Sequence, residues 1–239
     1  MADDLQTKLA VVTGATRGIG FAIAQRLLTD GANVIATGTR PGGSGPDGAE
    51  YATVDFTDDV ALARFADDLS KRKPDILINN AGINIVSDFA DIDSDDFERM
   101  HRINLAAPMR LCRAVLPSMR AKKWGRIVNI SSIWGKIARE GRASYAATKF
   151  GIDGLTVALA AEAAADGILA NCVAPGFIDT ELTRRNLGAD GIARLIKEVP
   201  CGRLGQPHEI AALVAWLASA ENSYVSGQNI AIDGGFTRV

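Results

Sequence analysis

Leu9-Ala10-Val11-Val12-Thr13-Gly14-Ala15-Thr16-Arg17-Gly18-Ile19-Gly20 is the stretch that decides the fold. An apolar, β-branched run from Leu9 to Thr13 breaks into a loop with three glycines. Helical periodicity then passes through Ile19, Ala22, Ile23, Arg26 and Leu27 and stops at Asp30-Gly31. Strand, glycine turn and helix in that order form the context in which such glycines signal phosphate binding. Gly14 permits the tight turn, while Gly18 and Gly20 let backbone approach a pyrophosphate and let the helix pack on its strand. The helix amino terminus then faces the anion. Thr16, Arg17 and Ile19 share this loop and are candidate dinucleotide contacts.

The next strand, Asn33 to Gly38, decides which dinucleotide. An acid at its end would bind a ribose 2′-hydroxyl, as in NAD(H), whereas neutral and basic groups leave room for a 2′-phosphate. The residues here are Gly38, Thr39 and Arg40, with Arg17 nearby in the glycine loop. Two guanidiniums can pair with a phosphate, so Arg17, Thr39 and Arg40 favour NADP(H) over NAD(H). Residues 40 to 50 hold four glycines and two prolines and cannot be helical. A third strand follows at once, from Tyr51 to Asp55, so this crossover is expected to lack its helix. A mobile loop covering little of that sheet face is predicted.

Helical spacing from Val60 to Arg72 precedes a buried strand, Asp75 to Ile78, which runs into Asn79-Asn80-Ala81-Gly82. Small and amide residues at the carboxyl end of a central strand let a ligand approach, which makes Asn80, Ala81 and Gly82 candidates. Ser94 is read as the cap of a long helix running toward Met119. That helix carries Asn104 on an apolar face, where an amide must be hydrogen-bonded. His101, one of two histidines, has no partner motif and is read as structural. Gly125 to Ser132 is a central strand ending in hydroxyls, and Ile168 to Val173 is another, broken by Pro175-Gly176. A variable segment, Asp179 to Pro200, leads to a helix from Pro207 to Ser219 and a last strand, Asn229 to Ile232. Strand and helix alternate without a linker. The economical architecture is α/β: a single-domain, doubly wound parallel sheet of about seven strands, with helices on both faces, spanning residues 1–239.

Between these strands lies Ser144-Tyr145-Ala146-Ala147-Thr148-Lys149. Tyrosine and lysine four apart on a helix point the same way. An ammonium one turn away is expected to draw the phenol pKa down from about 10 toward the working range. The following helix face, with Gly151, Gly154, Leu155, Ala158 and Leu159, suits close helix packing on a partner subunit.

With 239 residues and 47% hydrophobic content, the chain can bury one sizeable core. Its 26 basic and 28 acidic residues are interspersed, which points away from nucleic acid and membrane surfaces. Cys112, Cys172 and Cys201 are scattered, so neither a disulfide framework nor a metal site is indicated. The acidic start, Met1 to Gln6, lacks the order of a signal peptide, and no apolar run approaches the roughly 20 residues of a membrane span. A soluble, cytoplasmic protein is expected.

Taken together, the glycine loop, Asn79-Asn80-Ala81-Gly82, Asn104, Ser132, Tyr145-x-x-x-Lys149 and Pro175-Gly176 resemble the short-chain dehydrogenase/reductase family across essentially the whole chain. The resemblance implies hydride transfer with a nicotinamide cofactor, and Asn104, Ser132, Tyr145 and Lys149 as the catalytic four. Ser132, thirteen residues before Tyr145, would bind the substrate carbonyl, and Tyr145 would protonate the alkoxide. Lys149 would tune Tyr145 and hold the ribose, and Asn104 would place a water. It further implies cofactor contacts at Asp55, Pro175, Gly176, Ile178 and Thr180, beside Tyr145 and Lys149 themselves. A homotetramer is also implied.

Within the family the chain looks most like the 3-oxoacyl-[acyl-carrier-protein] reductases, through Val199 to Gly205 and Ser226 to Gly235. That implies a thioester carbonyl substrate and an acidic acyl carrier protein as partner, received by Lys122, Lys123 and Arg126 near the entrance. Asp166 stands where a basic residue is common. An NAD-linked sugar or secondary-alcohol dehydrogenase would use the same scaffold. A non-catalytic dinucleotide sensor would not need the four catalytic residues together. Specificity is expected in Ile133 to Arg142 and Asp179 to Pro200.

Overall fold

The computed structural model describes residues 5–238; most of the acidic start behind the localisation expectation lies outside them. Seven strands form one parallel sheet: β1 (Leu9–Val12), β2 (Asn33–Gly38), β3 (Glu50–Thr53), β4 (Ile76–Asn79), β5 (Gly125–Ile130), β6 (Ile168–Pro175) and β7 (Asn229–Ile232). Their spatial order is β3-β2-β1-β4-β5-β6-β7, so the winding direction reverses between β1 and β4. Because side chains alternate along a strand, each buried strand feeds two cores. Ala10, Val12, Val34, Ala36, Ile76 and Ile78 meet α1 (Gly18–Thr29) and α7 (Pro207–Ala218) on one face. On the other, Val11, Ile35, Leu77 and Ile127 meet α2 (Asp59–Arg72), α4 (Ala107–Lys122) and α5 (Ala143–Ala163).

Three local expectations change. Residues 41 to 49 carry no helix, yet the loop does cover the sheet. Pro46 is buried, and a Cβ on Gly45 would sit 2.6 Å from that of Ala36 on β2. Tyr51 Oη anchors the loop by donating to the Arg40 carbonyl at 2.8 Å. The helix α3 (Ser94–His101) is capped by Asp93 rather than Ser94, since the Asp93 carboxylate accepts from the Asp95 and Asp96 N–H groups at 2.9 and 3.0 Å. The variable segment is α6 (Glu181–Glu198), started by Thr180 and kinked at Gly188 (φ +62°). Gly188 and Gly191 had hidden its periodicity.

Between α3 and α4 the helix widens into a π-turn, Arg102–Ala106. Such a turn often marks a functional position. A buried amide chain ties the sheet's centre: Asn79 Nδ2 donates to Asn129 Oδ1 at 2.7 Å, and Asn129 Nδ2 donates to Thr156 on α5 at 2.8 Å.

Candidate active site

A cleft of about 800 Å³ opens outside the carboxyl ends of the strands, at the β1/β4 reversal. Every candidate cofactor residue lines it except Arg40. Arg40 is exposed, and its carbonyl accepts from Tyr51; Thr39 lines the cleft at the end of β2, while the Arg17 guanidinium faces Glu181 at 3.8 Å.

The glycine loop is held by hydrogen bonds from three strands' ends. Thr13 Oγ1 accepts from the Asn80 and Ala81 N–H groups at 2.9 and 3.0 Å, and Asn80 Nδ2 donates to the Thr13 and Gly14 carbonyls at 2.9 and 3.0 Å. Thr37 Oγ1 accepts from the Gly14 N–H at 3.2 Å. The amide of Asn80 is thus a clamp on the loop. Gly14 has φ +65°, and a Cβ there would approach the Ala81 Cα to 2.9 Å. A Cβ on Gly20 would lie 2.3 Å from Asn80 Nδ2 and 2.4 Å from the Gly14 oxygen. No side chain caps the α1 amino end, so its N–H groups face the cleft for an anion. This cradle fits a dinucleotide pyrophosphate. Asp55 also lines the cleft, with Oδ1 accepting from the Thr57 N–H and hydroxyl at 2.9 and 2.8 Å.

Ser132, just past β5, and Tyr145 and Lys149, on α5, meet at the cleft floor. The Ser132 hydroxyl lies near enough to the Tyr145 phenol to favour its ionised form, and it accepts from the Trp134 N–H at 3.2 Å. Helix α5 lies close against the β5 end because Gly135 intervenes: a Cβ there would be 2.6 Å from Ser131 Oγ and 2.7 Å from the Lys149 oxygen. Lys149 Nζ donates to the Ile130 carbonyl at 2.7 Å and lies 5.5 Å from the Tyr145 ring centre. Its pKa is lowered by burial, to about 8.

Tyr145 keeps part of its surface open to the cleft, yet burial pushes its phenol up to about 12. The nearby Ser132 hydroxyl and the Arg142 guanidinium only partly oppose that rise. The expected downward shift is therefore not seen: burial of the phenol dominates, while the Lys149 ammonium holds the Ile130 carbonyl with one of its N–H groups. At neutral pH Tyr145 stands fully protonated, the state a proton donor needs.

Asn104, centred in the π-turn, does not line the cleft. Its Oδ1 accepts from the Ile83 N–H at 2.9 Å, and its Nδ2 donates to the Ile83 carbonyl at 2.9 Å and to Thr148 Oγ1 at 3.1 Å. Both amide hydrogens are committed to protein, so the Asn104 side chain braces the segment after Gly82 against α5. His101 packs on Phe97, with ring centres 4.6 Å apart, in keeping with a structural part.

The basic residues expected at the entrance lie elsewhere. Lys122, Lys123 and Arg126 flank the start of β5, at the sheet edge opposite the cleft. Lys122 pairs with Asp75 at 2.7 Å, Lys123 pairs with Asp166 at 2.5 Å, and buried Arg126 donates to the Ser219 and Asn222 carbonyls at 3.1 and 2.9 Å. What sequence reading missed is an aromatic wall. Trp134 stacks edge-on to Phe177 and Phe236, with ring centres 6.2 and 6.3 Å away. Trp134, Phe177 and Arg142 all line the cleft. Arg142 had no visible partner in the sequence; its adjacency to Tyr145 was the available signal.

A Rossmann-type cleft that brings a serine, a tyrosine and a lysine together beside a glycine loop defines a short-chain dehydrogenase/reductase, and the chain belongs to that family. Residues 14–237 match the family model described as enoyl-(acyl carrier protein) reductase. The 3-oxoacyl-[acyl-carrier-protein] reductase FabG of Salmonella typhimurium is 40% identical over 241 residues, covering 97% of this chain and 98% of that protein. The same-named protein of Escherichia coli strain K12 is 38% identical over 245 residues, covering 99% and 100%. A solved gluconate 5-dehydrogenase from Burkholderia cenocepacia J2315, in complex with NADP and tartrate, superposes with a TM-score of 0.90 at 33% identity and covers 100% of this chain and 99% of that one.

Proposed function

We propose that this protein reduces a ketone to a secondary alcohol with NADP(H), and that Ser132, Tyr145 and Lys149 carry its proton chemistry. The observation that carries this reading is the meeting of Ser132, Tyr145 and Lys149 at the cleft floor, with Lys149 Nζ 5.5 Å from the Tyr145 ring centre. Two hydroxyls converge where one carbonyl oxygen can accept from both. As charge develops on that oxygen, Tyr145 Oη gives up its proton to form the alcohol, and the resulting tyrosinate is stabilised by the Ser132 hydroxyl and the Lys149 cation. Bound NADPH supplies the hydride. The glycine loop would hold its pyrophosphate, Lys149 its ribose, Ile178 and Thr180 its carboxamide, and Arg17 with Thr39 its 2′-phosphate.

The FabG relatives support a 3-oxoacyl thioester on acyl carrier protein as substrate. The tartrate-bound neighbour supports a second reading, a sugar or hydroxy acid. Ion-paired Lys122 and Lys123 also leave little free charge at the amino edge for an acidic carrier. A cytoplasmic homotetramer fits both readings. Among the described residues no helix is long and apolar enough to cross a membrane. On α5, Gly154 and Ala158 stay exposed while Leu159 turns into the core. NADPH oxidation with 3-oxoacyl thioesters, sugar acids and simple ketones side by side tests the proposal, and no oxidation with any of them would sink it.

A further inference from the structure

We propose that Arg142 reads a carboxylate on the substrate, so that the preferred ketone is a small oxo acid whose charged group is free. This rests on the carbonyl-reductase reading above and selects between its substrate classes.

Arg142 precedes α5 by one residue, lines the cleft, and stands one helical turn before Tyr145. Its guanidinium carbon lies 6.0 Å from the centre of the Trp134 ring, and that of Arg139 lies 5.8 Å from the same ring. Trp134 is only 6% exposed and is fixed between Phe177 and Phe236, so it offers the guanidinium a rigid platform. Two other arginines near the cleft already face carboxylates. Arg184 holds Asp179 at 2.6 Å, and Arg17 faces Glu181 at 3.8 Å. Half-buried Arg142 forms no ion pair or side-chain hydrogen bond among the described residues, and its nearest charged influence is a second arginine. Two like charges gathered beside an aromatic wall are unfavourable until an anion joins them.

A neutral thioester or simple ketone would leave this cation unpaired in a cleft closed by substrate. A carboxylate accepts both arms of a guanidinium, which fixes the molecule's direction as well as its charge. Arg142 lines the same cleft and acts electrostatically on the Tyr145 phenol, so the carboxylate and the reacting carbonyl would sit close together in one molecule. That geometry describes a short oxo acid.

The test compares 3-oxobutanoate with its methyl ester as NADPH-dependent substrates. Wild-type enzyme should favour the acid by about 100-fold in kcat/KM, and R142Q should bring that ratio close to one, with R142K between. Malonate binding, followed by calorimetry, reads the same residue without turnover and should weaken by about the same factor in R142Q. An acid-to-ester ratio near one in the wild type, or equal malonate affinity in wild type and R142Q, overturns the inference. Failure of the underlying reading looks different: no ketone or thioester is reduced, whether or not malonate still distinguishes R142Q.

Discussion

At the scale of single residues, the site works by setting two protonation states apart. Burial holds Tyr145 protonated and brings the Lys149 pKa down to about 8. Tyr145→Phe should lower turnover by roughly 100- to 10,000-fold while NADPH still binds, as fluorescence titration would show; near-normal turnover removes Tyr145 from the mechanism. The pH profile follows from Lys149. Below about 8 it is a cation and can stabilise the tyrosinate, and above about 8 it loses its proton, well before Tyr145 does. Reductive kcat/KM should therefore be level up to about pH 8 and decline beyond it; a level profile to pH 10 would contradict the assignment. Thr39→Asp places a carboxylate beside the 2′-phosphate position and should raise the NADPH KM by about tenfold or more with little change for NADH. Ser132, Tyr145 and Lys149 were legible in the sequence through the family resemblance, since a tyrosine and a lysine four apart would by themselves fit a surface pair. Their pKa values were not, because the desolvation of Tyr145 depends on everything that encloses the cleft, and that enclosure is assembled from several elements.

At the scale of elements, glycines and amides decide how closely helices approach strands. Gly20 lies where α1 crosses Asn80 and the Gly14 carbonyl, so Gly20→Ala must displace either the clamp or the loop. Its cost should be about 1–3 kcal/mol in denaturant unfolding, with NADPH binding lost before the fold is. Asn104→Ala would strip hydrogen bonds from both the N–H and the carbonyl of Ile83 and from Thr148. A loss of about 2–4 kcal/mol is expected, together with reduced turnover, since Thr148 also donates to the Tyr145 carbonyl at 2.8 Å. The burial of Asn104 was readable from the apolar positions around it. The π-turn was not, because one extra residue in a helix leaves no composition signal. Helix α6 escaped for the opposite reason: Gly188 interrupts its periodicity, and Thr180 restores the start only through a side-chain cap.

At the scale of the molecule, the parallel sheet follows from alternation along the chain, and the cleft follows from the order in which strands are laid down. The β1/β4 reversal brings residues from 14 to 187 to one edge, and no local pattern contains that information. The same topology sends the start of β5 to the far edge, which is why Lys122 and Lys123 could not be placed from sequence. An assembly test can be chosen free of folding effects. A Cβ at Gly154 would meet nothing within 4 Å, so Gly154→Glu should leave the subunit's thermal unfolding nearly unchanged. If α5 forms the tetramer contact, light scattering after gel filtration should show that variant as a smaller species; an unchanged mass would remove α5 from the interface.

The π-turn has one more consequence, for the counting of residues. In a regular helix each residue turns the chain by about 100°, so a length change normally rotates everything beyond it. Arg102–Ala106 absorbs one surplus residue in a single wide turn, and Asn104 sits within it. Deleting that surplus would leave an unbroken regular helix, easy to form and wrongly wound. Its apolar stripe would leave α2 and α5 while its local hydrogen bonding improved. The molecule accepts a locally poorer helix at this place, and the phase of that helix sets which of its residues face α2 and α5.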